Sequence, residues 1–153
     1  MTSIVDRYAT PQLERLRSRL RSEGLEALAA YRDAGDQVVV VTGAPVELVN
    51  TILAADSSDP VRVVGSTSRR YLGGLILERH CYGAHKLAML YDSGYTAPLV
   101  IVYSDNPADL PLLVRAIKPI LVNPRASRVA AFRRVLGADV EIQNWQPSLR
   151  THK

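Results

Sequence analysis

The chain has 153 residues, 47% hydrophobic and 22% charged, with a net charge of +4; this suits one domain-sized core and excludes disorder over the whole length. Its single cysteine, Cys81, excludes an internal disulfide and a thiolate cluster for zinc. No apolar run approaches the roughly 20 residues of a membrane-spanning helix, and the opening MTSIVDRYATPQLERL lacks a signal-like stretch, so the expectation is a soluble, cytoplasmic protein without a transmembrane segment.

Thr10-Pro11 predicts a helix start, with Thr as N-cap and Pro in the first turn. That helix is expected to reach about Arg21 and to break at Ser22-Glu23-Gly24, before a second helix carrying Leu25, Leu28 and Tyr31 up to Ala34-Gly35. Gln37 to Thr42 is a continuous β-branched run of the kind found in strands covered on both faces. Gly43-Ala44-Pro45 reads as a turn into a helix from Val46 to about Ala55, followed by a strand over Val61–Gly65. After a polar stretch, Gly73-Gly74 predicts a hairpin turn between Tyr71-Leu72 and Leu75-Ile76-Leu77. A helix is expected over Gly83 to Ser93, a strand over Leu99–Tyr103, and a short helix from Ala108 to Ile117. The chain then reads as a strand over Pro119–Val122, a helix from Pro124 to Leu136, and a last strand over Asp139–Ile142. Strands alternating with helices predict an α/β fold with a parallel, doubly wound sheet, whose ligands bind at the carboxyl ends of the strands.

The excess positive charge gathers at Arg15, Arg17, Arg19 and Arg21, and at Arg125, Arg128, Arg133 and Arg134. At alternating helical positions the first four point in two directions rather than along one stripe. No aromatic residues interleave them as single-stranded nucleic acid would require, so solvated helix faces are expected and no nucleic-acid partner.

Three loops lie at the carboxyl ends of the expected strands. Thr42 offers a hydroxyl and Gly43 permits close backbone approach to an anion at the following helix, although Thr42 could equally cap that helix. Asp105 and Asp109 are four apart at a strand tip and the next helical turn. Carboxylates so placed suit a hard cation such as magnesium, or serve as caps in the helix dipole. Lys86 follows Gly83-Ala84-His85 near a helix start, where a surface lysine is the ordinary reading.

In order, Val41-Thr42-Gly43, then Gly83-x-x-Lys86, then Tyr103-Ser104-Asp105 with Asp109 resemble the second, third and fourth motifs of the haloacid dehalogenase-like phosphatases. Ala34-Gly35-Asp36, Cys81-Tyr82-Gly83, Asp109-Leu110-Pro111-Leu112-Leu113, Val122-Asn123-Pro124 and Trp145 resemble the branch that includes phosphoserine phosphatase and phosphatidylglycerophosphatase-like proteins. The resemblance spans about Leu20 to Trp145. It implies a Rossmann-like core, a Mg2+ cofactor and a small phosphorylated substrate. It also implies that Thr42 and Lys86 are catalytic groups which, with Gly43, bind phosphate, that Asp105 is a metal ligand and that Asp109 is its supporting acid. Ser104 stands where the family usually has glycine.

The family's first motif, Asp-x-Asp-Gly-Thr, carries the aspartate that forms an aspartyl-phosphate, and nothing here matches it; Asp6 is followed by Arg7-Tyr8-Ala9. Residues 1–22 are therefore expected to be a remnant of the helical cap and residues 23–153 an incomplete core, with the catalytic strand upstream of Met1. In the resembling sheet that strand lies between the Val38–Val41 and Leu99–Val102 strands. Without it both strands keep an unpaired inner edge. The chain is then expected to close the gap, to recruit a strand from a missing N-terminal segment or a second copy, or to fold poorly with Val40, Val41, Ile101 and Val102 exposed; aggregation or dimerisation is expected. The reading is the C-terminal portion of a phosphomonoester hydrolase, inactive by itself; the alternative is a degenerate, non-catalytic relative that binds phosphate or a partner protein.

Overall fold

Two heavy atoms on Cβ crowd a helical turn, so a run of valines favours extended backbone. The structure, a computed structural model describing residues 15–54, 60–72 and 74–146, places that run in β1, Val39–Pro45. The described residues form two units, each with its own three-stranded sheet. The first comprises the described residues up to His80 with Trp145 and Gln146; the second is Cys81–Asn144.

The first unit contains α1 (Ser22–Asp33), β1, α2 (Val46–Ala54), β2 (Arg62–Tyr71) and β3 (Gly74–Arg79). β1 and β2 run parallel, with Val39 opposite Arg62 and Val41 opposite Val64, and β3 is antiparallel to β2. The expected hairpin is present and closes at Tyr71–Gly74. β2 is twice as long as expected, because its polar half, read as loop, finds hydrogen-bonding partners along β3. β1 likewise continues through Gly43-Ala44-Pro45, with an irregularity between Val41 and Pro45. The helix break expected at Ser22-Glu23-Gly24 is corrected: Ser22 opens α1 and Gly24 lies inside it. The reason is Trp145, whose ring packs so closely that a Cβ on Gly24 would sit 2.7 Å from Cζ3. Arg21 adds a hydrogen bond to the Trp145 carbonyl at 3.2 Å, and the Gln146 N–H donates to Glu23 at 2.8 Å. Residues 15–17 are helical, whereas the Thr10-Pro11 helix start and most of the supposed cap remnant lie outside the described residues.

The second unit contains α3 (Ala84–Asp92), β4 (Leu99–Ser104), a 3-10 turn (Pro107–Asp109), α4 (Leu110–Leu113), β5 (Ala116–Val122), α5 (Ala126–Leu136) and β6 (Glu141–Gln143). Its sheet is wholly parallel in the order β4-β5-β6. Leu113, Leu121 and Phe132, all at most 1% exposed, form a core cluster against which Val102, Leu110, Leu136, Val140 and Ile142 pack. Each fully buried side chain of this size contributes about 1.5–3 kcal/mol by leaving water.

Sequence character and sheet position disagree at two strands. β1 and β4 are the apolar runs that ought to be covered and paired on both sides, yet among the described strands β1 pairs only with β2 and β4 only with β5. Val40, Val41, Ile101 and Val102 are half-buried rather than exposed, and Val100 is 59% exposed. In the neighbouring β5, Ile120, Leu121 and Val122 are buried. No helix among the described residues is long and apolar enough to cross a membrane.

Candidate functional site

In the second unit, the carboxyl end of β4 is shaped by short-range hydrogen bonds. The Asn106 side chain accepts the Ala108 N–H at 3.0 Å, and Pro107 starts the 3-10 turn that follows. This turn brings Asp109 back beneath the strand end, where it is 8% exposed, while Asp105 at the tip is open to solvent. The Ser104 hydroxyl accepts the Asn106 N–H at 3.1 Å and donates to Asp109 Oδ2 at 2.7 Å.

Lys86 reaches the same carboxylate from α3. Gly83 precedes that helix at φ +56°, a left-handed conformation that side-chain-bearing residues rarely adopt, and it sets Lys86 on the first helical turn. Lys86 Nζ lies 2.7 Å from Asp109 Oδ1, and neither side chain is more than 11% exposed. The surface reading of Lys86 is thus replaced by a buried cation with a specific partner. Oδ1 is sealed from solvent, and its contact with the ammonium is electrostatic rather than an aligned hydrogen bond. Asp109 lies at the start of α4 but makes no side-chain cap there, so its carboxylate serves the lysine and not the helix end.

In the first unit, Thr42 Oγ1 accepts the Ala44 N–H at 3.1 Å. It does not cap α2, which starts at Val46. Because the oxygen accepts, its one proton remains available to donate. Gly43 is exposed, and its carbonyl accepts the Ser66 hydroxyl at 2.8 Å from a side chain only 2% exposed. Gly65 permits this approach: a Cβ there would lie 2.8 Å from the Ala44 carbonyl and 3.0 Å from Thr42 Cγ2. Ser66 is a supporting residue that sequence reasoning did not single out, and Ser104 draws notice there only as a departure from glycine, not for its bond to Asp109. Serine followed by glycine-rich or acidic loops is too common a pattern to stand out without knowledge of the pairing.

The structure thus brings Lys86, Asp109 and Ser104 together, with Asp105 one residue beyond, and sets Thr42 and Gly43 in the irregular carboxyl-terminal half of β1 in the first unit. For a magnesium ion the available donor is the exposed Asp105 carboxylate, since both oxygens of Asp109 are engaged. No group of three or more His, Cys, Asp or Glu suited to a metal occurs among the described residues. That donor set still fits magnesium, which is commonly bound through one or two carboxylates, with water and substrate phosphate supplying the rest. It does not fit zinc.

Comparison with known proteins agrees with this architecture. A sequence model of the haloacid dehalogenase-like hydrolases matches residues 3–114. A protein of unknown function from Bordetella pertussis Tohama I superposes with a TM-score of 0.65 at 20% identity, over 83% of this chain and 59% of that one. Cytosolic 5'-nucleotidase IIIB, solved with cytidine bound, superposes with a TM-score of 0.60 at 17% identity, over 85% of this chain and 50% of that one. The chain therefore spans between half and six-tenths of the length of these structures. No curated protein matches the sequence.

Proposed function

The chain belongs to the haloacid dehalogenase-like hydrolase family, and from that premise we propose that it is the C-terminal portion of a magnesium-dependent phosphatase whose nucleophilic aspartate lies outside this sequence. The observation that carries the reading is the buried Lys86–Asp109 ion pair beside the open Asp105 carboxylate at the carboxyl end of a parallel strand. Burying a lysine costs several kcal/mol unless it is paired, so a fold that retains one at a strand's ligand-binding end has a use for its charge.

In this reading Thr42 donates its free hydroxyl proton to a phosphoryl oxygen. Lys86 keeps one contact on Asp109 and turns its other N–H groups toward the negative charge of the phosphate. Asp105 would hold the magnesium ion and Asp109 would support it by fixing the lysine. When bound, that cation supplies positive charge to a phosphoryl group and its leaving oxygen. Among the described strands β1 and β4 each pair on one side only, which supports placing the nucleophile on a strand upstream of Met1. A small phosphomonoester is the proposed substrate.

Turnover of p-nitrophenyl phosphate with magnesium tests the proposal. The chain alone should give none. A chain extended upstream by an apolar strand ending in Asp-x-Asp-Gly-Thr should hydrolyse it, and Asp105→Asn should remove that activity. Hydrolysis by the present chain alone, abolished by Asp105→Asn, would refute the missing nucleophile.

A further inference from the structure

Ser104 closes β4, and its hydroxyl works in two directions at once. The oxygen takes the Asn106 N–H at 3.1 Å, and the proton goes to Asp109 Oδ2 at 2.7 Å. With the oxygen anchored by the backbone two residues on, the single hydroxyl proton has a fixed direction. The other Asp109 oxygen faces Lys86 Nζ at 2.7 Å. An ammonium is a compact point charge on a flexible stem, so it fixes the distance to a carboxylate but not the plane of that carboxylate. A second, directional contact is needed for the plane, and Ser104 makes it.

We propose that Ser104 is the positioning residue that holds Asp109 on Lys86, so that Asp109 serves the lysine and leaves the cation to Asp105. The roles of Lys86 and Asp105 here rest on the phosphatase reading above; the act of positioning does not. Glycine at this place would leave Asp109 Oδ2 without the Ser104 hydroxyl and the carboxylate free to turn about its bond to Cβ.

The metal-free chain, isotopically labelled at lysine and aspartate, tests this by nuclear magnetic resonance. An ammonium held against a buried carboxylate exchanges its protons slowly enough to give a proton–nitrogen correlation, assigned to Lys86 by its loss in Lys86→Arg. We expect that correlation in the unaltered chain and in Ser104→Thr, which keeps the hydroxyl, and its loss in Ser104→Ala with the backbone amide spectrum otherwise unchanged. If Ser104→Ala loses the native amide spectrum, Ser104→Gly takes its place with the same expectation. A Lys86 correlation that persists in a natively folded variant without the hydroxyl overturns the proposal, as does its loss in natively folded Ser104→Thr. Adding magnesium then tests the separate premise. If the Asp105 carboxyl carbon does not shift, the metal assignment fails, and the metal-free spectra still decide the part played by Ser104.

Discussion

Lys86 and Asp109 meet at 2.7 Å in a place where the lysine side chain is 9% and the aspartate side chain 11% exposed. A pair so enclosed gains little net stability over apolar residues of the same volume. Breaking it on one side, however, strands a charge away from water.

Asp109→Asn should therefore destabilise the second unit by about 3–5 kcal/mol, as should Lys86→Met. The double variant Lys86→Met with Asp109→Leu should cost much less than the sum. Hydrogen exchange at the β5 amides reads this unit without interference from the other. Additive losses in the double variant would mean that the two charges do not depend on one another.

Gly24→Ala sets two effects against each other. Alanine inside α1 gains about 1 kcal/mol of helix propensity. The new methyl would lie 2.7 Å from the Trp145 ring, and overpacking of that kind costs about 1–3 kcal/mol. The clash should win, displacing the indole and shifting its fluorescence to longer wavelength. Trp145 is the only tryptophan, so the emission has one source. Unchanged emission with raised stability would show that the ring yields freely.

The Glu23 carboxylate accepts the Gln146 N–H at 2.8 Å and the Ser22 hydroxyl at 3.1 Å. The Gln146 bond is the main reason that its pKa lies below the usual glutamate value. A carboxyl depressed in the folded state contributes stability above its unfolded pKa of about 4.3 and loses it as pH falls through the folded value. Acidification to below the ordinary glutamate range should thus loosen the Trp145 segment, seen as a change in its emission. In Glu23→Gln this part of the acid-induced change should disappear, and an identical profile would place the titration elsewhere.

Leu72, 91% exposed at the tip of the β2–β3 hairpin, has φ +46°. A left-handed conformation costs an L-residue about 1–2 kcal/mol, and glycine removes that strain while adding about 0.5–1 kcal/mol of unfolded-chain entropy. Leu72→Gly should come out modestly stabilising, with slower amide exchange across β3. Faster exchange there would show that the leucine side chain has a partner that this conformation serves.

The strands β1 and β4 were legible from their unbroken β-branched runs, and the order of strands and helices gave the fold class. Long-range partners were not legible. Gly24 reads as a helix breaker because nothing nearby announces Trp145, whose carbonyl accepts a hydrogen bond from Arg21 across 124 positions. The polar half of β2 reads as loop because its pairing with β3 is made by backbone groups, which composition does not report. At the candidate site, the residue types and spacings of Thr42, Lys86, Asp105 and Asp109 could be read directly. That Asp109 turns to Lys86, and that Ser104 turns it, depends on three-dimensional proximity between α3 and the turn after β4.

The clasp of Arg21, Glu23 and Gly24 on Trp145 and Gln146 makes the first unit discontinuous along the chain, whereas the second is an uninterrupted stretch. During synthesis the two therefore cannot mature on the same schedule. Cys81–Asn144 is complete as soon as it clears the ribosome, but α1 must wait for the last residues before its glycine face is covered. Released chains truncated just short of Trp145 should accordingly resist protease in the second unit and be cut within α1. Extension through Gln146 should close the earlier segment.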